Sequence, residues 1–324
     1  MAGSAGRSAV APLVPVSRRK VEPIVINRLS KYFGRTRAVN NLSFTVEPGR
    51  VTGFLGPNGA GKTTTLRVLV GLAAPTAGTA TFGRQPYVDL LHPQQTVGCV
   101  LEANFHPGRT GRNHLRVLAA TAGVGEDRVD ELLELVGLAD MARRPASSYS
   151  LGMRQRLALA GALLGDPDYL ILDEPANALD PEGTRWLRAF LRNFASQGRT
   201  VLMSSHLLHE VGATADDIVV INDGRLVKKT KMADLDLQGT SRVRVSNIDR
   251  AERALAELNT TVRRGTDEQG PYLRISSQDT YVIGATLFNA NVAVFELTRE
   301  RYELEEQFFE MLKGNDRPGR RRSA

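Results

Sequence analysis

Short, unbroken apolar runs recur through the first 222 residues and alternate with segments of helical periodicity. Such runs are typical of strands that are buried on both faces of a parallel sheet. We predict core strands at residues 51–55, 169–173, 199–204 and 217–222. Two earlier runs, at 24–27 and 42–46, predict antiparallel strands, and Asn222-Asp223-Gly224 predicts a tight hairpin turn. The pattern therefore favours an α/β fold with a mixed sheet.

Residues 108–164 carry a different pattern, in which apolar positions follow helical spacing. One predicted helix has an apolar face formed by Val129, Leu132, Leu133 and Val136. Gly137 is a typical stop for that helix. Ser150 is a good N-cap, and the segment 151–164 that follows is helix-forming and apolar nearly all round.

From residue 241 onward strands and helices alternate in a new order. We predict strands at 242–246, 261–264, 272–276 and 292–297, and helices at 249–258 and 279–290. The order β-α-β-β-α-β is that of a ferredoxin-like fold. A last predicted helix has Leu304, Phe308, Met311 and Leu312 on one face. The chain is therefore expected to have a first domain at residues 23–236 and a small accessory α+β domain at 241–312.

The composition is that of a soluble globular protein. Of the 324 residues, 42% are hydrophobic and 24% are charged, which excludes a mostly disordered chain or a coiled-coil rod. The single cysteine, Cys99, excludes a disulfide framework and favours a reducing compartment. No apolar stretch approaches the length that a membrane-spanning helix requires.

The net charge of +7 comes from the two ends of the chain. Residues 1–20 carry four basic and no acidic side chains, and residues 313–324 carry five basic and one acidic, so the remainder is close to neutral. We predict that residues 1–22 and 313–324 are disordered basic tails. Such tails either improve solubility or attract an anionic surface, and the absence of interleaved aromatic residues argues against nucleic acid.

The first chemical signal is a glycine-rich loop between the strand at 51–55 and a helical segment. Its residues are Gly56, Pro57, Asn58, Gly59, Ala60, Gly61, Lys62, Thr63 and Thr64. Glycines let backbone N–H groups approach phosphate oxygens, and the following helix adds its positive end. Lys62 can reach the β- and γ-phosphates, and the Thr63 hydroxyl can ligate Mg²⁺. This loop predicts binding of a nucleoside triphosphate.

The second signal is an apolar strand that ends in two acids, Asp173 and Glu174. Function in parallel sheets lies at the carboxyl ends of strands. Asp173 falls where a Mg²⁺ ion needs a carboxylate, and Glu174 can polarise a water for attack on the γ-phosphate. A GTPase would also require an Asn-Lys-x-Asp motif for the base, and none occurs in this sequence.

The segment before these acids resembles the ATP-binding cassette family of ATPases. The family's signature, usually Leu-Ser-Gly-Gly-Gln, reads Tyr-Ser-Leu-Gly-Met at residues 149–153. Ser150 and Gly152 match the signature, whereas Leu151 and Met153 do not. This variant is similar to exporters of the bacitracin-resistance and drug-efflux type. A capped helix start of this kind is also a receptor for anions.

Further positions match family motifs in the family's order. Phe33 matches the aromatic that stacks on adenine, with the adjacent Tyr32 as its alternative. Glu102 stands where the family has a glutamine that senses Mg²⁺ and contacts the membrane subunit, and an acid can still approach the metal. Asp180 matches the anchor of the loop that crosses the dimer interface, and His206 matches the switch histidine at the γ-phosphate.

The resemblance covers residues 24–235 and implies a P-loop ATPase that binds ATP and Mg²⁺, with a helical subdomain at about residues 103–164. In this family the signature of one copy completes the nucleotide site of another, which implies a homodimer or a heterodimer. It also implies a separate integral membrane permease, a peripheral location on the cytoplasmic face of the cell membrane, and export of drugs, antibiotics or lipids. No specific nucleic acid is expected as a partner.

Two other classes of function stay open from the sequence. A soluble cassette protein that acts on ribosomes or DNA usually fuses two cassettes or inserts a long coiled coil, and this chain does neither. The other class is a different P-loop enzyme, such as a small-molecule kinase.

Overall fold

A computed structural model describes residues 21–103, 105–106, 108–177, 179–234, 240–258, 260–277 and 279–300. These residues form two units, of which the first ends at Met232 and the second begins at Ala233. The predicted C-terminal tail, the last predicted helix and residues 1–20 of the N-terminal tail lie outside the described residues. Val21 and Glu22, which we assigned to the N-terminal tail, lie against the first unit, where the Glu22 carbonyl accepts a hydrogen bond from the Tyr169 hydroxyl at 2.8 Å.

The first unit contains nine strands and seven α-helices among the described residues. The strands are β1 (Ile24–Phe33), β2 (Thr36–Val46), β3 (Val51–Leu55), β4 (Ala77–Phe82), β5 (Val97–Val100), β6 (Tyr169–Leu172), β7 (Thr200–Ser205), β8 (Asp217–Asn222) and β9 (Arg225–Lys231). The helices are α1 (Lys62–Leu69), α2 (Pro93–Thr96), α3 (Gly111–Ala122), α4 (Glu126–Leu135), α5 (Leu151–Ala162), α6 (Pro181–Ser196) and α7 (Leu208–Gly212).

Two sheets build this unit. The larger has the order β5-β6-β7-β3-β8-β9 and is parallel except for β9, and the smaller is the antiparallel sheet β2-β1-β4. Apolar side chains of both sheets meet in one core, where the rings of Phe44 and Phe54 lie 5.2 Å apart. The four predicted core strands are confirmed to within one residue. β1 and β2 are longer than predicted, because their exposed ends pair as a hairpin without an apolar pattern.

The helical segment contains three α-helices, α3, α4 and α5. The predicted apolar face is buried at each of its four positions, and Gly137 ends the turn after α4 with a φ of 69°. The Ser150 hydroxyl caps α5 as expected and accepts the Met153 N–H at 3.2 Å. The backbone between α4 and α5 forms short 3-10 turns, which the broad helical prediction did not separate.

The second unit has the predicted order of elements. They are β10 (Thr240–Val245), α8 (Ile248–Ala256), β11 (Val262–Asp267), β12 (Gly270–Ile275), α9 (Thr280–Asn289) and β13 (Val294–Glu300). The sheet has the order β11-β12-β10-β13 with antiparallel neighbours, and apolar residues of the sheet and both helices form its core. On the other sheet face, hydrogen bonding from Arg244 lowers the pKa of Asp267 to about 2.

The turn between β8 and β9 connects the fold to the glycine-rich loop. Asp223 and Gly224 both have positive φ, 47° and 71°, as a two-residue hairpin of this type requires. The Gly224 N–H donates to the Ala60 carbonyl at 3.0 Å, and the Gly224 carbonyl accepts the Asn40 N–H at 2.8 Å. A Cβ atom at Gly224 would lie 2.8 Å from the Ala38 carbonyl oxygen, so this turn packs tightly beneath the loop.

Substituting Gly224 tests this support against Gly198, a surface glycine that also has positive φ but no atom near its missing Cβ. We expect Gly198→Ala to cost roughly 1 kcal/mol in free energy of unfolding, from backbone strain alone. Gly224→Ala adds a steric conflict and should cost about 2–4 kcal/mol. The fluorescence of Trp186, the sole tryptophan and part of α6, reports unfolding of the first unit in urea. Equal losses in the two variants would contradict this role for Gly224.

Candidate functional site

Three neighbouring parallel strands bring the predicted chemical residues to one edge of the larger sheet. In the order β6-β7-β3, β6 leads into Asp173 and Glu174, β7 leads into His206, and β3 leads into the glycine-rich loop. Because the strands are parallel and adjacent, their carboxyl ends lie side by side. The glycine-rich loop is separated from the two acids by 110 residues, counted from Thr63 to Asp173, and Glu174 is 32 residues from His206, so the sheet makes the three segments neighbours.

The glycine-rich loop is held in a form that side chains would disturb. Gly61 has a φ of 100°, and a Cβ atom there would lie 2.3 Å from the Ala38 carbonyl oxygen. Gly61 is also the N-cap of α1, so the loop ends at a helix start whose N–H groups can receive an anion. Lys62 is buried, and its Nζ donates to the Gly56 carbonyl at 2.7 Å. The loop therefore brings a lysine side chain and the N–H groups of a helix start together, and both can bind an anion.

Oxygen donors suited to Mg²⁺ lie next to this loop. The Thr63 hydroxyl donates to Asp173 Oδ2 at 2.6 Å, which joins the start of α1 to the end of β6. Among the described residues, no group of three or more His, Cys, Asp and Glu side chains could hold a metal. One hydroxyl and one carboxylate fit a Mg²⁺ ion that takes its other ligands from phosphate oxygens and water.

Glu174 lies between the lysine and the histidine. Its Oε1 is 3.4 Å from Lys62 Nζ, and its Oε2 is 3.0 Å from His206 Nδ1 and accepts from Asn177 Nδ2 at 3.3 Å. The backbone of Glu174 has a φ of 48°, a left-handed conformation that is uncommon outside glycine. A strained backbone and several polar partners thus fix one carboxylate at the carboxyl end of β6.

Ser204 is a site residue that our sequence reasoning did not identify. Its hydroxyl, fully buried on β7, donates to Asp173 Oδ1 and accepts the Glu174 N–H at 3.0 Å. It therefore orients the first acid and fixes the backbone of the second. The signal in the sequence that could have identified Ser204 is the pair of serines at the end of an apolar run. The second of them, Ser205, donates a hydrogen bond to Glu210 at 2.6 Å and accepts the Leu207 N–H next to His206.

The remaining predicted site residues lie at the starts and ends of other elements. Phe33 ends β1 and is 56% exposed, with Lys31 Nζ 4.9 Å from its ring centre, and Tyr32 precedes it. Glu102 follows β5, and its Oε1 lies 2.5 Å from an Arg67 guanidinium nitrogen on α1. Asp180 caps α6 by accepting the Gly183 N–H at 2.7 Å.

The signature residues lie at the start of α5, where Ser150 is the N-cap and Gly152 is in the first turn. The side chain between them, Leu151, is 64% exposed. Their contribution to a nucleotide site stays a prediction, as do the individual roles of the other residues named above.

Comparisons with known proteins agree with this geometry. Residues 39–177 match the family described as ABC transporter. The chain is 32% identical over 307 residues to an ABC transporter ATP-binding protein of Bacillus subtilis, YdbJ, which covers 92% of this chain and 98% of that protein. This chain belongs to the ABC transporter ATP-binding proteins. The recognition of the family from its motifs is therefore confirmed, and with it an ATP-binding, ATP-hydrolysing cassette.

Other relatives of this ABC protein carry more specific names. It is 40% identical over 216 residues to the bacitracin transport ATP-binding protein BcrA of Enterococcus faecalis, covering 65% of this chain and 70% of that protein. It is 37% identical over 203 residues to the lantibiotic transport ATP-binding protein SrtF of Streptococcus pyogenes, covering 62% and 88%.

Solved structures confirm the cassette fold. An ATP-binding subunit of an ABC transporter matches with a TM-score of 0.60 at 26% identity, over 65% of this chain and 90% of that chain. A bacterial ABC transporter cassette solved as a dimer matches with a TM-score of 0.60 at 23% identity, over 64% and 98%. The predicted α/β nucleotide-binding fold is therefore right. In the described part of the chain, no helix has the length and apolar character needed to cross a bilayer.

Ser204→Ala tests how much the buried hydroxyl contributes to this ABC ATPase. Asp173 loses a hydrogen-bond donor and the Glu174 N–H loses its acceptor, so we expect a 10–100-fold loss in activity or in apparent Mg²⁺ affinity, roughly the effect of removing an outer-shell partner. The measurement is ATPase rate against Mg²⁺ concentration at saturating ATP. Ser196→Ala, which removes a hydroxyl at the exposed end of α6, is the control. Unchanged Mg²⁺ dependence in a stably folded Ser204→Ala protein would contradict the assignment.

Proposed function

We propose that two cassettes, this chain with a second copy or with a relative, enclose two molecules of Mg²⁺-bound ATP and drive a separate membrane permease that exports an antibiotic or a similar compound. The observation that carries the proposal is that Glu174 contacts both Lys62 and His206 where three adjacent strands end. ATP binding would close the two cassettes, and hydrolysis would reopen them.

The chemistry follows from the donor and acceptor positions. Lys62 and the start of α1 would bind the β- and γ-phosphates, and Thr63 with Asp173 would hold Mg²⁺. Bound Mg²⁺ would supply positive charge at the phosphate oxygens. Glu174 would orient a water and accept its proton, and its contact with His206 would help to hold the carboxylate in position for that step.

The proposed second half of each site is the signature of the other cassette. Ser150 and Gly152 begin a capped helix, and a helix start attracts anions. The exposed side chain of Leu151 is an apolar group at that start, as suits a surface that another protein covers. Asp180, at the start of α6, would support the loop that faces the partner cassette.

Two outlying residues complete the proposed nucleotide contacts. Phe33 would stack on adenine, because it is largely exposed at the end of β1, and Tyr32 is the alternative. Glu102 would approach Mg²⁺ only by changing its present ion pair with Arg67 on α1. That pair connects the segment after β5 to the helix that begins with Lys62, so Glu102 would transmit the state of the site to the helical segment.

The cargo and the location are inferred from the relatives. Relatives named for bacitracin and lantibiotic transport support an antibiotic as cargo, with drugs and lipids as the wider class. An ATP-driven subunit of this type would act at the cytoplasmic face of the cell membrane, bound peripherally to its permease. The permease would provide the contacts with the cargo.

Glu174→Gln tests the proposed chemistry and the pairing together. The amide cannot accept the proton of the attacking water, so hydrolysis should slow by about 10²–10⁴-fold while ATP still binds. With ATP and Mg²⁺ the variant should accumulate as a dimer, measured by light scattering after size-exclusion chromatography. Lys62→Ala, which lacks the phosphate contact, should stay monomeric under the same conditions. Normal hydrolysis by Glu174→Gln would remove Glu174 from its proposed role, and a strictly monomeric variant in the presence of the permease would overturn the pairing.

The transport assignment is tested in the cell that makes the protein. We expect affinity-tagged chain, extracted from membranes in detergent, to bring down one integral membrane protein, and loss of the pair to increase sensitivity to an antibiotic. Complementation with Lys62→Ala should fail, which controls for effects unrelated to ATP. Co-sedimentation with ribosomes in place of membrane association would favour the soluble-cassette alternative.

A further inference from the structure

Arg156, in the second turn of α5, reaches across to α6. Its guanidinium carbon lies 5.6 Å from the ring centre of Trp186, within the range of a cation–π interaction. The two side chains also line one narrow cavity together with Leu172 of β6, and both are only partly exposed. A charge in such surroundings is screened less by salt than a charge on the open surface.

A glycine opens the space that this guanidinium occupies. Gly183 is buried in the first turn of α6. A Cβ atom there would lie 3.1 Å from Arg156 Nη2 and 2.8 Å from Asp180 Oδ1. Glycine lowers the stability of a helix compared with alanine, so the helix gains nothing locally from this residue. The glycine instead leaves room for the arginine and the aspartate at the start of α6.

Arg156 and Asp180 therefore lie close together. Both groups approach the same point beside Gly183, so the guanidinium nitrogen and the carboxylate oxygen are within about 6 Å of each other, where opposite charges attract. The same oxygen of Asp180 accepts the Gly183 N–H at 2.7 Å and caps α6. Arg156 is thus placed to hold the carboxylate with which α6 begins.

The other side of the guanidinium lies near the turn that follows α4. A Cβ atom at Gly137 would lie 3.5 Å from Arg156 Nη1. One side chain of α5 therefore lies against the turn after α4, the first turn of α6 and the ring of Trp186. These contacts can fix the position of α5 relative to α6.

The two helix starts that Arg156 connects are those that we expect to face the partner cassette. Ser150 and Gly152 begin α5, and Asp180 begins α6. A site shared between two cassettes requires that each chain presents these starts at the correct spacing. A displacement of about 1 Å in a positioning element, even far from the chemistry, can lower a rate by roughly a hundred-fold.

We propose that Arg156 is a positioning residue for ATP hydrolysis, which acts through Asp180 and Trp186 to keep the starts of α5 and α6 at one spacing. The inference rests on the proposed pairing of two cassettes. Binding of ATP to a single cassette uses Lys62 and the start of α1, so that step does not depend on Arg156. The contribution of Arg156 belongs to the closed pair and therefore to kcat.

A double-mutant cycle in the full-length chain tests whether Arg156 acts through Asp180. Arg156→Gln and Asp180→Asn each remove one charge, and asparagine caps a helix start as well as aspartate does. We expect each variant to lower kcat at least about five-fold, a usual size for coupling between sites, with KM for ATP within about two-fold of the unmodified chain. The double variant should lose no more than the weaker of the two single variants.

Arg192→Gln is the matched control, because Arg192 is an exposed arginine on the same helix as Trp186. It should leave kcat unchanged, alone and together with Asp180→Asn. Trp186 is the sole tryptophan, so its emission spectrum should shift in Arg156→Gln, which removes the charge near the ring, and stay the same in Arg192→Gln. Arg156→Lys keeps the charge and should retain more of kcat than Arg156→Gln.

Additive losses in the double variant, or an unchanged kcat in Arg156→Gln, would overturn the inference. A lower melting temperature with unchanged kcat would give Arg156 a structural role only, and a rise in KM as large as the loss in kcat would place it in the nucleotide site of its own chain. If Arg156→Gln does not fold, Arg156→Lys replaces it in the cycle under the same criteria.

Failure of the pairing itself gives a different result. If Glu174→Gln stays monomeric with ATP and the permease while Arg156 is intact, the proposed pairing is wrong, and this inference with it. If Glu174→Gln forms the dimer and Arg156→Gln hydrolyses ATP at the full rate, only the role of Arg156 is wrong.

Discussion

The site depends on the position of β7 between β6 and β3. Parallel pairing of these strands places three carboxyl ends side by side, and the buried Ser204 hydroxyl on the middle strand connects the two acids that follow β6. If β7 moved by one residue, Ser204 would turn to the other face of the sheet and Asp173 would lose its partner. The relative positions of the charged side chains therefore depend on the register of the sheet more than on the charged residues themselves.

The surroundings of the cluster are connected to it by a few specific contacts. Gly224 supports the glycine-rich loop from the β8–β9 turn, and Arg67 joins α1 to Glu102 after β5. The first contact holds the loop that precedes α1, and the second ties the last turn of α1 to the segment after β5. The turn beneath the loop thus holds the loop in place, and the ion pair joins α1 to the segment that follows β5.

Much of this site could be predicted because its residues obey local rules. Lys62 and Thr63 follow a loop whose glycines are required by backbone geometry, and Asp173 and Glu174 interrupt an apolar strand where nothing but function or solvent explains two acids. Ser204 could not be found this way, since a serine at the end of a strand is common. Its role comes from its hydrogen bonds with Asp173 and Glu174, which lie on the neighbouring chain segment. The Glu102–Arg67 pair was missed for the same reason, because 35 residues separate its members.

The sequence by itself determined the order of elements in both units, the loop that receives phosphate and the capped start of α5, because these depend on periodicity and on backbone preferences within a few residues. Only the tertiary structure decided which strand ends meet and how Glu174 is held between Lys62 and His206. Those facts depend on contacts between residues far apart in the chain, which no local pattern encodes.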